Sequence, residues 1–310
     1  MVVLQAESEV AAINMVYGGA MTGKAVCTST SSPGFSLMQE GVSYLAASEV
    51  PALLINVQRG GPGLGTIHAS QADYFQACKG GGHGDYHMIV LAPSSVQEMA
   101  DMVALGFDLA FKYRCVSMIL ADGTIGQLME KVVLPEQRPR RTDDEIREQC
   151  PWAVNGRKGM RPSNVVTSLE LDDDKMEENN WRFQACYREI EKNETRCELI
   201  DVEDCDYLIT AFGTTARVAM KTMELARAEG IKVGMFRPIT LWPFPEKQLR
   251  EAAKNVKGIL CVELNAGQMV EDVKLAVECK MPVEHYGRFG GNVPTPDELL
   301  NVLKEKLINK

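Results

Sequence analysis

Apolar residues along the chain follow two rhythms that alternate with each other. Short runs rich in β-branched residues read as strands, and the stretches between them carry helical spacing. Residues 2–5 form a first strand candidate. A helix over 7–20 follows, with Val10, Ala11, Ile13, Met15 and Val16 as its apolar positions. The pattern then predicts a strand at 24–28, a polar turn at 29–34, a helix over 36–47 and a buried strand at 52–57. After a Gly-rich stretch, 88–91 reads as a strand. Ser95-Val96-Gln97-Glu98 is a capping box that opens a helix reaching Tyr113, and 116–121 is the last strand of the set.

The same alternation returns beyond residue 200. Strands are expected at 206–211, 232–236, 258–262 and 283–286. Helices are expected up to Glu229, where Gly230 stops the first, and over 246–255 and 268–278. Strands alternating with helices predict parallel sheets, so the fold class is α/β with two doubly wound domains.

The two parts are separated by a change in composition. Residues 131–200 hold 13 Lys/Arg and 15 Asp/Glu, so 40% are charged against 24% overall, and Pro135, Pro139, Pro151 and Pro162 interrupt them. This reads as a long polar connection with some local structure, either a solvated cover or a binding arm. The expected division is 1–130, a charged linker or insertion at 131–200, and 201–310.

The remaining bulk properties mostly exclude. A net charge of -9 argues against duplex nucleic acid as a partner. No apolar run approaches the roughly 18 residues of a membrane span. The N-terminus has no signal-peptide pattern, so the cytoplasm is the default. Nine cysteines without a CxxC pair argue against a disulfide framework and against an iron–sulfur site.

Three segments of the first domain could carry chemistry. Glu7 and Glu9 sit where the chain enters a helix, at the sheet edge where open α/β folds place ligands. They could serve a ligand, or simply favour the helix dipole. The hydroxyls of 28–36 could cap a helix or bind an anion at its free N–H groups. Arg59 opens Arg59-Gly60-Gly61-Pro62-Gly63-Leu64-Gly65-Thr66, which matches neither a P-loop nor a dinucleotide fingerprint. It could clamp a carboxylate in a bidentate fork, or be a surface arginine. His68, His83 and His87 lie in Gly-rich context with no metal-ligand spacing.

Together these segments resemble one family. Gln5-Ala6-Glu7-Ser8-Glu9 with Ala11-Ala12, the run TSTSSPGFSLMQ from Thr28 to Gln39, and Asn56-Val57-Gln58-Arg59 with its glycine loop resemble the alpha subunit of 2-oxoacid:ferredoxin oxidoreductases. Gln71-Ala72-Asp73-Tyr74 and Gly80-Gly81-Gly82-His83-Gly84-Asp85-Tyr86 look most like the branched-chain, 2-oxoisovalerate (3-methyl-2-oxobutanoate) type, with the 2-oxoglutarate type close behind. The segment from Phe236 to Pro245 and Glu263-Leu264-Asn265-Ala266-Gly267-Gln268 match the second domain of the same subunit. The likeness is weakest over 140–200.

The resemblance implies a thiamine-diphosphate pyrimidine-binding domain followed by a transketolase C-terminal-like domain. It implies that Glu9 is the activating glutamate, hydrogen-bonded to the aminopyrimidine ring of the cofactor, and that Arg59 holds the substrate carboxylate. Thr30 and Ser31 would line the substrate side of the pocket and Ser32 the cofactor side. The reaction implied converts a 2-oxoacid, CoA and oxidised ferredoxin to acyl-CoA, CO₂ and reduced ferredoxin. The Gly-Asp-Gly…Asn motif for Mg²⁺ and diphosphate is missing, as expected of an alpha subunit. The resemblance places that motif on a beta subunit and the iron–sulfur clusters on beta and ferredoxin-like gamma subunits. The isolated chain would then be inactive. One departure concerns the start: the family carries roughly fifty residues, with a further strand, upstream of the position of Met1. An N-terminally incomplete, purely assembling subunit is therefore the competing expectation.

Overall fold

The computed structural model describes residues 2–157, 159 and 161–309. Its first half runs α1 (Glu9–Ala20), β1 (Cys27–Thr30), α2 (Ser32–Ala47), β2 (Ala52–Gln58), α3 (Tyr74–Cys78), β3 (Ile89–Leu91), α4 (Val96–Tyr113), β4 (Val116–Asp122) and α5 (Gly123–Gln127). The charged middle contributes α6 (Asp143–Gln149) and α7 (Asp173–Asn193). The second half holds β5 (Cys197–Ile200), β6 (Tyr207–Thr210), α8 (Gly213–Ala228), β7 (Val233–Pro238), β8 (Thr240–Trp242), α9 (Glu246–Ala252), β9 (Gly258–Glu263), α10 (Met269–Ala276), β10 (Val283–Gly287) and α11 (Pro296–Leu303).

Two five-stranded sheets result, in the orders β1-β2-β4-β3-β8 and β10-β9-β6-β7-β5. Four strands of each are parallel, as the alternation predicts, and the fifth joins antiparallel at an edge. All seven residues of β4 and all six of β9 are buried, the continuous burial of strands covered on both faces. One apolar core passes from the first sheet (Leu91, Leu120) into the second domain (Leu208, Phe236, Ile259). A separate core lies under α8 and α11.

Each antiparallel edge strand crosses a boundary drawn from sequence. β8 follows β7 in the chain yet pairs with β3 of the first sheet. β5 lies in the charged segment yet pairs with β7. These three- and four-residue strands are too short to show a period, so only their partners define them. The charged segment is also more than a solvated cover. The α7 face carrying Tyr187 and Ile190 joins the main core, and Tyr187 meets His87 and Trp242 edge-on, the latter two rings stacked 4.5 Å apart.

Two other expectations change. Residues 2–5 form no strand: Val2, Val3 and Leu4 are 81%, 76% and 68% exposed, because β-prone residues without a ladder partner leave their backbone in water. The capping box at α4 is half formed. Ser95 Oγ accepts the Glu98 amide, but the Glu98 carboxylate turns to the Ser94 amide and to Arg237.

Arg237 is 4% exposed, at the end of β7. Its guanidinium clasps both oxygens of Glu98, from the first domain, at 3.0 and 2.7 Å, and donates from Nε to Glu198 at 2.7 Å. Gln71 is the second tie between the halves. Its side chain donates to Phe212 O (2.6 Å) and accepts the Leu264 amide (3.0 Å), while its main chain binds Leu264 O and Asn265 Nδ2. Asp122, at the end of β4, accepts Thr214 N and Oγ1 from the start of α8. The domains are therefore closed against each other by buried hydrogen bonds along this seam.

Candidate functional site

The carboxyl ends of β1 and β2 flank that seam, Gln58 pairing in register with Asp122, and three of the sequence candidates meet there. β1 ends at Thr30, and a single residue, Ser31, precedes α2. Ser8 and Ser31, both extended, stand at the N-caps of α1 and α2, and neither side chain makes a cap bond. The first turns of the two helices touch at Gly34. A Cβ there would lie 2.1 Å from Thr30 Oγ1, 2.9 Å from Glu9 Cγ and 3.1 Å from Glu9 Oε1. The bare glycine thus lets Glu9 and Thr30 come together over the start of α2. Of the two N-terminal carboxylates, Glu9 is half-buried in this corner and Glu7 is exposed.

The next strand supplies Arg59. Its main chain bridges Ala69, and Gly60 N donates to His68 O, so the loop between is pinned at its base. Thr66 N donates to Gly60 O, and a Cβ on Gly65 (φ 61°) would fall 1.7 Å from that same oxygen. Only glycine permits this closure. Arg59 Nε is buried and meets no acceptor, and among the described residues no carboxylate lies within ion-pair distance of the guanidinium. A buried guanidinium nitrogen without an acceptor suits an anionic ligand.

Ser32 connects the two groups. Its hydroxyl accepts the Arg59 amide at 3.0 Å and donates to Asp73 Oδ2 at 2.6 Å. Asn56 Nδ2 donates to the same Asp73 oxygen at 2.9 Å, and Asp73 N donates to Gln58 Oε1 at 3.0 Å. Burial pushes the Asp73 carboxyl above its ordinary range, while the Ser32 and Asn56 hydrogen bonds oppose the rise. Asn56 is fully buried, and its Oδ1 has no partner. Two orphaned polar atoms, Asn56 Oδ1 and Arg59 Nε, therefore belong to one corner.

Sequence reasoning brought Glu9, Thr30, Ser31, Ser32 and Arg59 to this corner but gave no role to Asn56 and Asp73, which it quoted only within longer segments. A signal for Asn56 was present: Asn56 and Gln58 are polar at alternate positions of a buried apolar strand, where each needs a partner. Asp73 lies outside any strand or helical period, and only the fold returns it to β2. The loop holding His83 goes elsewhere. Gly82 and Tyr86 pack beside Gln39, midway along α2. Among the described residues no group of three or more His, Cys, Asp or Glu is placed to hold a metal ion.

This architecture has relatives. Residues 1–194 match the family "Pyruvate flavodoxin/ferredoxin oxidoreductase, thiamine diP-bdg", a thiamine diphosphate-binding domain, and residues 205–299 match "Pyruvate:ferredoxin oxidoreductase core domain II". The ketoisovalerate oxidoreductase subunit VorB of Methanothermobacter marburgensis is 48% identical over 97% of this chain and 84% of its own length. The chain belongs to the 2-oxoacid:ferredoxin oxidoreductase family. Within that family, the 2-oxoglutarate synthase subunit KorA of the same organism is 35% identical over 97% of this chain and 85% of its own. A solved 2-oxoglutarate:ferredoxin oxidoreductase from Magnetococcus marinus, with 2-oxoglutarate, coenzyme A and succinyl-CoA bound, superimposes with a TM-score of 0.81 at 27% identity. That match covers 98% of this chain and 57% of the Magnetococcus chain. The two-domain α/β reading and membership of an oxidoreductase subunit family thus hold. No described helix is long and apolar enough to cross a membrane.

Proposed function

We propose that the chain is the pyrimidine-side subunit of a branched-chain 2-oxoacid:ferredoxin oxidoreductase, with 2-oxoisovalerate as substrate and CoA and ferredoxin as co-substrates. The observation that carries the reading is the corner at Gly34, which sets the half-buried Glu9 carboxylate beside Thr30 and one strand away from an anion-seeking Arg59. The orphaned Asn56 Oδ1 and Arg59 Nε fit a site that a polar ligand completes. The greater identity to the ketoisovalerate subunit than to the 2-oxoglutarate subunit supports the branched-chain substrate.

Thiamine diphosphate, when bound, supplies the carbanion that adds to the 2-oxo carbon and the electron sink that lets CO₂ depart. The residues of this chain bind and orient. Glu9 would hydrogen-bond to the aminopyrimidine ring. Arg59 grips the substrate carboxylate, and Thr30 and Ser31 flank it. Ser32, expected on the cofactor side, instead braces this pocket from behind, its hydroxyl donating to Asp73 and accepting the Arg59 amide. Beta and ferredoxin-like gamma subunits supply Mg²⁺, the diphosphate site and the iron–sulfur clusters. Assembly takes place in the cytoplasm.

The test is a side-by-side assay of the reconstituted complex with 2-oxoisovalerate and 2-oxoglutarate, with the chain alone as a control. Expected are a higher kcat/KM for 2-oxoisovalerate and no turnover by the single chain. Turnover by the chain alone would refute the subunit reading, and preference for 2-oxoglutarate would refute the substrate. In the same complex Glu9→Gln abolishes decarboxylation; normal turnover would move the role away from Glu9.

A further inference from the structure

Asp73 stands outside the residues assigned to the reaction, yet the corner is organised around it. Two donors from different elements, Ser32 Oγ of α2 and Asn56 Nδ2 of β2, converge on its Oδ2. Its own amide is anchored to Gln58, whose Nε2 donates in turn to Ala121 O of β4 at 3.3 Å. The hydroxyl that Asp73 orients accepts the N–H of Arg59. A serine hydroxyl has one proton. That proton has two acceptors in reach, Asp73 Oδ2 at 2.6 Å and Arg59 O at 3.5 Å; pointed at the nearer one, it leaves a lone pair facing the Arg59 amide, and the relay has a single sense. The Arg59 side chain has no such brace, because its Nε lacks an acceptor. Its direction is therefore set at the main chain.

We propose that Asp73 is a positioning residue for recognition of the 2-oxoacid carboxylate: acting through Ser32, it fixes the backbone at Arg59 and so aims the guanidinium. This rests on the reading of Arg59 as the carboxylate clamp. Asp73 touches neither substrate nor cofactor in this role. It acts on substrate binding, with little effect on the chemical step.

The experiment uses the assembled complex and measures KM for 2-oxoisovalerate, KM for CoA, and kcat. Asp73→Ala and Ser32→Ala are each expected to raise the 2-oxoacid KM about tenfold, the order expected for one hydrogen bond to a charged group. KM for CoA stays within about twofold, and the double variant is no worse than either single one, because both break one relay. Asp73→Asn keeps an oxygen that can accept both donors, so it recovers most of the loss. Amide hydrogen exchange over 57–61 gives a readout without turnover, faster in the alanine variants and restored in Asp73→Asn.

Equal rises in both KM values, additive effects of the two alanine variants, or Asp73→Asn as poor as Asp73→Ala would each overturn the proposal. If Asp73→Ala does not assemble, Ser32→Ala against Asp73→Asn decides the same point. Arg59→Met in the same assay keeps the two readings apart. An unchanged 2-oxoacid KM there removes the clamp itself. A raised KM in Arg59→Met beside an unchanged one in Asp73→Ala removes only Asp73.

Discussion

Replacing Gly34 with alanine separates the stability of the α1–α2 corner from its function. The backbone tolerates the change, since Gly34 lies in the first turn of α2 with no left-handed φ, and alanine gains up to about 1 kcal/mol of helix propensity. The added methyl, however, would stand 2.1 Å from Thr30 Oγ1 and 2.9 Å from Glu9 Cγ, far inside van der Waals contact. Relief requires Thr30 and the start of α1 to retreat by about an ångström. Such overpacking costs about 1–3 kcal/mol, so the net loss of stability is about 2 kcal/mol or less. At the catalytic carboxylate proposed above, a displacement of that size costs on the order of a hundredfold in rate. Gly41→Ala is the matched control. One helical stretch further on, its methyl would fall 2.4 Å from Ile13 Cγ2, with a similar packing cost but no contact with Glu9. Thermal unfolding and kcat of the complex are measured for both variants. The expected result is comparable melting temperatures, with kcat down about a hundredfold for Gly34→Ala and less than about threefold for Gly41→Ala. Equal loss of activity in both would refute the claim that Gly34 places Glu9.

Two further predictions concern the seam between the halves. Gln71→Leu keeps the volume but leaves the Leu264 amide without an acceptor and removes the bond to Phe212 O, a cost of about 2–4 kcal/mol. Denaturant unfolding followed through Trp242, which lies at the junction of the domains, measures it, and a change under about 0.5 kcal/mol would refute the importance of the tie. Burial works against the charge on Glu98, but the Ser94 amide and the Arg237 guanidinium outweigh it and hold the carboxyl below its ordinary range. A carboxyl held lower in the folded state than in the unfolded chain stabilises the fold above its unfolded value and ceases to as pH falls through its folded value. Arg237→Met is therefore expected to cost about 1–3 kcal/mol near neutral pH and less in acid, where Glu98 is neutral in both states. A loss that does not shrink between about pH 6 and pH 3 would show that Arg237 acts through packing alone.

Local pattern carried much of this protein. The alternation of buried apolar runs with helical periods is a property of a few neighbouring residues, so the parallel strands and most helices of both domains were readable without tertiary information. The motif around Glu9, the hydroxyl run over 28–36 and the arginine after β2 were readable too, because each sits at a helix start or a strand end. What they do to one another was not. The close approach of Glu9 and Thr30 to the start of α2 depends on a missing Cβ at Gly34, and the link from Arg59 to Asp73 runs through a serine whose obvious role was helix capping. β5 and β8 are strands only because β7 and β3 offer them open edges. Residues 2–5 have the composition of a strand and no ladder to join. Hydrogen bonds between groups distant in sequence are satisfied only once the chain has closed on itself. For that reason composition and periodicity settle the elements, while pairing, orphaned atoms and the aim of a side chain belong to the folded molecule.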